Sequence, residues 1–309
     1  MRTIDNSVDT SKFRKLFPVL MLLITFLSSP VLSGQVSKEK VMPLVTSGWL
    51  KENITKSGIV VLHISAVRSD YENNHIPGAR FLWPGYVSVS TEVQSTVPAE
   101  KAALKKTLQG LGVSSGSHIV LCGISGNIVQ VCRIFVTLEQ FGFRGRVSIL
   151  DGGFEEWKKA GNEVSAETPI VNKGRITSAF YDNLVDAQWM VRNLENKSYS
   201  IIDARAKAQY DGTTDAVRSG HIKGAKNIPP TELFDSKSFL FLPAEKLKEN
   251  FAKLNIGSGV RPVFYCNTGN SASVAYVGAV ILGYEPLVYD GSMEEWAARQ
   301  ELPMEKAEK

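Results

Sequence analysis

The sequence predicts an α/β fold made of two successive copies of one domain, each a parallel sheet with helices on both faces. Two observations support this prediction: the same features recur in the same order in each half of the chain, and apolar strand patterns alternate with helical patterns. A strand pattern at 263–265, for example, is followed by a helical pattern at 273–282. With 309 residues, of which 43% are apolar, the chain is long enough to bury two cores.

The repeat consists of six pairs of matching segments. The spacing between partners varies only from 139 residues (Ile149 to Val288) to 146 residues (His75 to His221), which is the length of a domain and too long for a solenoid. The pairs, in chain order, are 49–50 with 189–190, 60–63 with 200–203, 75–80 with 221–226, 111–113 with 254–256, 119–122 with 263–266, and 149–157 with 288–296. We therefore expect a first domain over 40–165, a linker over 166–178 and a second domain over 179–305.

The first 33 residues are typical of a secretory signal peptide. Three basic residues at 12–15 precede an apolar run over 16–27, and small residues follow up to Ser33. The run is shorter than the ~20 residues that span a bilayer, so an uncleaved anchor is the less favoured alternative. We expect cleavage after Ser33, export with the periplasm as the compartment, and no membrane span in the mature protein.

Charge and cysteine content narrow the class of function. The formal charge of +4 comes from 35 basic and 31 acidic residues without long runs of one sign, which argues against a nucleic-acid partner. The four histidines show no ligand spacing with the cysteines, so we expect neither a metal nor a cofactor. Three cysteines are an odd number, so at least one thiol should be free, although a disulfide between Cys122 and Cys132 is conceivable in an exported protein.

Cys266 is the strongest candidate nucleophile. It follows an apolar strand and precedes a short polar segment and then a helical pattern; the segment consists of Asn267, Thr268, Gly269, Asn270 and Ser271. In a parallel sheet this position is the carboxyl end of a strand, where such folds bind ligands. The backbone N–H groups of the segment can form an anion-binding nest, with Gly269 free to adopt a positive φ and the helix presenting its positive end. A buried, inert cysteine is the alternative.

Together these motifs resemble the tandem-domain rhodaneses, which include the thiosulfate and 3-mercaptopyruvate sulfurtransferases. The resemblance covers nearly all of the chain after the signal. It is carried by paired His-Ile-x-Gly-Ala segments at 75–79 and 221–225, Asp-x-Arg at 203–205, Cys-x-x-Gly at 266–269 and Asp-Gly-x-x-x-x-Trp at 151–157 and 290–296. It implies that the second domain is catalytic, that the first is an inactive copy, and that the active site lies between them.

The resemblance also implies a reaction. In the family a cysteine thiolate takes a sulfane sulfur from a small anionic donor such as thiosulfate or 3-mercaptopyruvate, becomes a persulfide, and passes the sulfur to a thiol or cyanide. A sulfur-relay protein is a further partner of that chemistry. The first domain's loop fits an inactive copy, because the stretch from Cys122 to Gly142 is three residues longer than the stretch from Cys266 to Gly283.

Five further residues are assigned with the help of the resemblance. Asp203 and Arg205 should form a supporting ion pair. Where the family has a donor-binding arginine, four residues after this motif, the chain has Gln209. Arg218 is a candidate to replace that guanidinium, and a solvated loop charge is the alternative. His75 is a weaker substrate-binding candidate because its segment faces the cleft in the family, although a structural role in the turn is favoured.

Two other functions compete with the enzyme. Cysteine phosphatases use Cys-x5-Arg, and the arginine position counted from Cys266 is Ala272, which argues against a phosphatase. A non-catalytic sulfur carrier that is loaded by a partner protein would keep Cys266 and tolerate Gln209. The sequence leaves this second alternative open.

Overall fold

Two sheets with the same strand order form the framework of the protein. The computed structural model describes residues 41–124, 126–177, 180–214 and 218–306, so the predicted signal peptide lies outside the described residues. Within these residues there are two five-stranded parallel sheets, one in each half of the chain. The α/β prediction with a duplicated domain is therefore confirmed.

The first half contains seven strands and five α-helices among its described residues. The strands are β1 (Leu44–Val45), β2 (Ile59–Ile64), β3 (Arg80–Leu82), β4 (Ser88–Val89), β5 (Val97–Pro98), β6 (His118–Gly123) and β7 (Val147–Leu150). The helices are α1 (Ser47–Asn53), α2 (Arg68–Asn73), α3 (Lys101–Gly110), α4 (Ile128–Leu138) and α5 (Gly153–Lys159). The sheet has the order β1-β7-β6-β2-β3, and β4 and β5 form a separate antiparallel hairpin.

The second half repeats this arrangement. Its described strands are β8 (Leu184–Val185), β9 (Tyr199–Asp203), β10 (His221–Ile222), β11 (Lys226–Asn227), β12 (Arg261–Tyr265), β13 (Leu287–Tyr289) and β14 (Met304–Glu305). Its helices are α6 (Ala187–Asn193), α7 (Lys207–Asp211), α8 (Ala244–Ala252), α9 (Asn270–Ile281) and α10 (Ser292–Trp296). The sheet order β8-β13-β12-β9-β11 matches that of the first sheet strand for strand.

Helices cover both faces of each sheet, because successive strand residues point to opposite sides. In β6, Ile119 and Leu121 pack on the face covered by α3 and α4, whereas Val120 and Cys122 pack on the face covered by α1 and α5. In β12, Phe264 packs towards α8 and α9, and its two neighbours pack towards α6 and α10. Both faces are therefore buried, as expected for parallel sheets.

One hydrophobic core runs through both halves of the protein. Helix α4 of the first half packs against helix α9 of the second, and their apolar residues belong to a single buried cluster. Helix α4 is apolar around nearly its whole circumference, which is the pattern of a helix buried on all sides. This interface brings the polar end of the second sheet against the first half.

Two further findings concern the membrane and the cysteines. No helix in the described part of the chain is long and apolar enough to cross a membrane. The three cysteines are buried free thiols, and Cys122 and Cys132 lie in cores on opposite faces of the first sheet. The disulfide that the sequence allowed is therefore not formed in this structure.

Candidate active site

Cys266 lies at the carboxyl end of β12, in the centre of the second sheet. The residue is only 2% exposed, and the segment from 266 to 271 turns from the strand into α9. Gly269 makes this turn with a φ of +83°, and a Cβ added there would lie 3.2 Å from both Arg133 Nη1 and the Asp290 carbonyl oxygen. Glycine is therefore required at this position both for the backbone conformation and for lack of space.

Groups outside the 266–271 loop hold its backbone in place, while the amides of 267–269 stay free. The Cys266 carbonyl accepts a hydrogen bond from Met293 N (3.0 Å), and the Asn267 carbonyl accepts one from Glu294 N (2.9 Å). The Cys266 N–H donates to Ser292 Oγ at 3.1 Å. Among the described residues, the N–H groups of 267–269 have no acceptor. The first turn of α10 thus anchors the loop, and free N–H groups remain to bind an anion.

Ser292 holds an unusual backbone conformation to make this contact. Its φ is +48°, a region that a residue with a side chain seldom adopts, and the residue is fully buried. Its hydroxyl accepts from the Cys266 N–H and donates to the Tyr289 carbonyl oxygen at 3.0 Å. Two hydrogen bonds in a buried place can offset backbone strain of about 1–2 kcal/mol.

A buried ion pair lies beneath the loop at the end of β9. Arg205 Nη2 is 2.6 Å from Asp203 Oδ2, and the same nitrogen donates to the Gly220 carbonyl oxygen at 2.6 Å. Burial lowers the pKa of Arg205, but the hydrogen bond and charge of Asp203, with smaller contributions from Tyr265 and Cys266, raise it above its ordinary value. The guanidinium is therefore permanently charged, and its side chain is held between the Asp203 carboxylate and the Gly220 carbonyl oxygen.

The first half of the chain closes one side of the loop. Asn270 Nδ2 lies 3.2 Å from Thr96 Oγ1 and 3.3 Å from Thr268 Oγ1, and Ser95 donates from both its N–H (2.7 Å) and its hydroxyl to the Glu294 carboxylate. Arg133 of α4 forms a buried ion pair with Asp290, with 2.6 Å between Nη2 and Oδ1. The loop therefore lies at the interface of the two halves.

Comparison with known proteins assigns the family. The model of the rhodanese-like domain matches twice, over residues 46–160 and 186–299. The chain belongs to the rhodanese family. Both matched ranges lie inside the two predicted domains, and the doubled match places the chain among the two-domain sulfurtransferases of this family.

Individual relatives agree with this assignment. The chain is 30% identical over 302 residues to the mitochondrial thiosulfate/3-mercaptopyruvate sulfurtransferase 1 of Arabidopsis thaliana, covering 86% of this chain and 79% of the relative. It is 30% identical over 279 residues to the thiosulfate sulfurtransferase of Rattus norvegicus, covering 83% of this chain and 92% of the relative.

Solved structures share the fold. The 3-mercaptopyruvate sulfotransferase SseA of Escherichia coli superposes with a TM-score of 0.70 at 25% identity, covering 81% of this chain and 98% of that one. An anaerobic ergothioneine biosynthesis enzyme of Chlorobium limicola superposes with a TM-score of 0.73 at 21% identity, covering 88% of this chain and 72% of that one. The second likeness shows the fold alone.

The structure brings Gln209 to the loop but not Arg218. Gln209 Nε2 lies 3.5 Å from Asn267 Oδ1, so the side chain at the family's arginine position does border the loop. Arg218 instead donates to the carbonyl oxygens of Trp296, Ala297, Arg299 and Leu302, where it caps the end of α10. The expectation that Arg218 binds the donor is corrected, because its guanidinium is engaged with backbone acceptors.

The expectation that His75 faces the cleft is also corrected. Its ring is fully buried, with Nδ1 2.7 Å from the Tyr71 carbonyl oxygen, Nε2 3.1 Å from the Glu167 carbonyl oxygen and its face stacked on Tyr71. His221 repeats this arrangement on Tyr210. Each histidine fixes a turn by contacts with backbone carbonyl oxygens, two for His75 and one for His221.

The first half carries a glycine at the position that Cys266 occupies in the second half. His63 pairs with Cys122 in the first sheet, and its counterpart Asp203 pairs with Tyr265 in the second. Cys122 therefore corresponds to Tyr265, and Gly123 corresponds to Cys266. The sequence pairing of the two cysteines was wrong by one residue, and such a slip moves a side chain to the other face of a sheet. Burial raises the pKa of Cys122 well above its ordinary value, so its thiol stays neutral.

Several site residues were missed in the sequence. Arg133 is the lone charge in the otherwise apolar run of α4, and that isolation was a usable signal. Ser292 stands where the other repeat has Gly153, a difference that a comparison of the two Asp-Gly endings shows. Thr96 and Ser95 lie on a polar hairpin and carried no signal.

Proposed function

We propose that the protein transfers a sulfane sulfur from a small anionic donor, thiosulfate or 3-mercaptopyruvate, to a thiol or cyanide through a persulfide on Cys266. With thiosulfate, the Cys266 thiolate attacks the outer sulfur; the new S–S bond forms as that of thiosulfate breaks, and sulfite leaves with the bonding electron pair. With 3-mercaptopyruvate the C–S bond breaks, and the enolate of pyruvate takes up a proton. The acceptor then attacks the outer persulfide sulfur, and Sγ leaves as the thiolate.

The observation that carries the proposal is that one cysteine begins a turn whose next backbone amides are free. The N–H groups of 267–269 have no acceptor among the described residues, and the buried Arg205 lies below the loop. Fixed donors aimed at the place where negative charge rests stabilise both a thiolate and a persulfide anion. The names of the relatives, thiosulfate and 3-mercaptopyruvate sulfurtransferases, supply the two donor classes.

The test compares the same substitution, cysteine to serine, at two buried positions. Cys266→Ser should eliminate sulfur transfer and the added sulfur that intact-protein mass spectrometry detects after exposure to either donor, because oxygen cannot carry the persulfide. Cys122→Ser is the matched control, because Cys122 is buried under α1 and α5 in the first half, away from the 266–271 loop. This variant should keep most of the activity. An active Cys266→Ser protein would overturn the assignment.

A sulfur carrier loaded by a relay protein is the second candidate function. Gln209 at the family's arginine position favours it, because the site has no guanidinium there to capture a small anion. A carrier would take up one sulfur per Cys266 and then stall, whereas an enzyme would turn over repeatedly with a free donor and acceptor. Thiocyanate formed per protein molecule separates the two functions.

A further inference from the structure

The repeat places a hairpin of each half over the loop of the other half. The hairpin of the first half pairs Ser88 with Pro98, and that of the second half pairs Phe234 with Phe241 in the same way. The next backbone pairings also correspond, Val89 with Val97 and Asp235 with Leu240. By this register Ser88 corresponds to Phe234, and Thr96 corresponds to Phe239.

These two positions differ in size and polarity between the halves. Phe234 and Phe239 stack on each other and pack against the shared core. Only about 10 Å³ of space remains beside Phe239 at the first half's own loop, which includes Gly123. The equivalent residues Ser88 and Thr96 are small, and next to them lies a cavity of about 150 Å³ that Asn270 of the catalytic loop also lines. Aromatic side chains therefore fill the space beside the loop of the first half, whereas a cavity remains at the equivalent place beside the loop of the second half.

The cavity is lined by groups that donate hydrogen bonds. Its polar lining residues are Ser88, Ser95, Thr96, Gln130, Arg133 and Asn270, with no carboxylate among them. Arg133 is 1% exposed, and its Nε and Nη1 have no hydrogen-bond partner among the described residues. The nearest carboxylates are already engaged, Asp290 with Arg133 and Glu294 with Ser95. A hydrogen-bond acceptor that carries negative charge fits such a lining.

We infer that this cavity binds the carboxylate end of a short keto-acid donor, so that the 88–98 hairpin selects 3-mercaptopyruvate over thiosulfate. The inference rests on the proposed function of Cys266. Asn270, four residues after Cys266, lines the cavity and belongs to the loop that carries the nucleophile. In thiosulfate the sulfonate is bonded directly to the transferred sulfur and stays at the loop. In 3-mercaptopyruvate two carbons separate the sulfur from the carboxylate, which can therefore extend into the cavity.

The test fills the cavity with the residue found at the equivalent position. Thr96→Phe should lower the ratio of kcat/KM for 3-mercaptopyruvate to kcat/KM for thiosulfate by about tenfold or more, mainly through KM for 3-mercaptopyruvate. Thr96→Val replaces the hydroxyl with a methyl group of similar size and should give a smaller loss of the same selectivity. Val93→Phe adds the same ring to the same hairpin at a position that is 77% exposed and should leave both donors unaffected.

Two outcomes overturn the inference while leaving the proposed function intact. Equal losses for both donors would mean that the hairpin only supports the loop, and no loss for either would mean that the cavity is not used. If the native protein itself transfers sulfur from neither donor, the proposed function fails, and pyruvate binding by titration calorimetry decides the inference. Binding to the native protein that is lost in Thr96→Phe supports it, and equal binding or none overturns it.

Discussion

Replacing Gln209 with arginine should improve the capture of small anionic donors. Gln209 is half-buried, and its amide lies 3.5 Å from the side chain of Asn267 in a contact that is open to water, so a longer guanidinium at this position would border the catalytic loop. Glutamine offers one neutral amide, whereas arginine offers a charged fork of donors that fits a sulfonate or carboxylate.

The size of the gain in kcat/KM follows from the difference between a charged and a neutral hydrogen bond. A hydrogen bond to a charged group contributes about 1.5–3 kcal/mol and one between neutral groups about 1 kcal/mol. The difference of about 1–2 kcal/mol corresponds to about a tenfold change, since about 1.4 kcal/mol is one factor of ten. Because the site is open to water, the gain should shrink as ionic strength rises beyond about 0.15 M.

The assay measures kcat/KM for thiosulfate and for 3-mercaptopyruvate at low and high salt. Gln209→Glu should move kcat/KM in the opposite direction. As a control, Gln300→Arg adds the same charge at an exposed position outside the site. No gain with either donor, in a variant that folds and still loads sulfur on Cys266, would refute the reasoning. Gln209 would then not face the donor, and a protein-bound persulfide would become the expected sulfur source.

Three further predictions concern stability and location. Burial, with the charge of His75, lowers the pKa of His63 to about 4, so the unfolded chain binds a proton at a higher pH than the folded protein does. The free energy of unfolding, measured by urea titration, should therefore fall by about 3 kcal/mol between pH 6.5 and pH 4, and His63→Phe should flatten that fall. Arg133→Met leaves Asp290 buried without its partner and should lower the free energy of unfolding by about 3–5 kcal/mol. The double variant Arg133→Met/Asp290→Asn should recover most of that stability, and a loss below about 1 kcal/mol in the single variant would contradict the role of the pair. We also propose export, so fractionation should find a mature form that begins near Gly34 outside the cytoplasm, and a full-length cytoplasmic protein would contradict this.

The sequence predicted the features that follow from local patterns. Alternation of apolar strands and helices gave the fold, and the position of Cys266 between a strand and a glycine-bearing turn gave the loop. The spacing of the repeat gave two domains, but not the exact pairing of the strands. Matching Cys122 to Cys266 was attractive because the residues are identical, yet the backbone pairing of His63 shows that Gly123 is the true counterpart.

Contacts between the halves were beyond the reach of sequence patterns. Arg218 and His75 look available in the sequence because their side chains are charged or titratable. In the structure they are engaged by backbone groups that are distant in the chain, the Glu167 carbonyl oxygen in the case of His75. The carbonyl oxygens that hold Arg218 are about eighty residues away. Thr96 lies 174 residues from Asn270 and joins the site only through the packing of the two halves.

The shared core has a consequence for how the duplicated halves can diverge. One copy of a duplicated domain is normally free to change when the other performs the reaction. Here the first half packs its helix α4 against α9 and supplies one wall beside the 266–271 loop. Selection should therefore act against substitutions in α4 or in the 88–98 hairpin as strongly as against those around Cys266. The two halves are bound to evolve together, and neither half should make a usable protein when it is expressed alone.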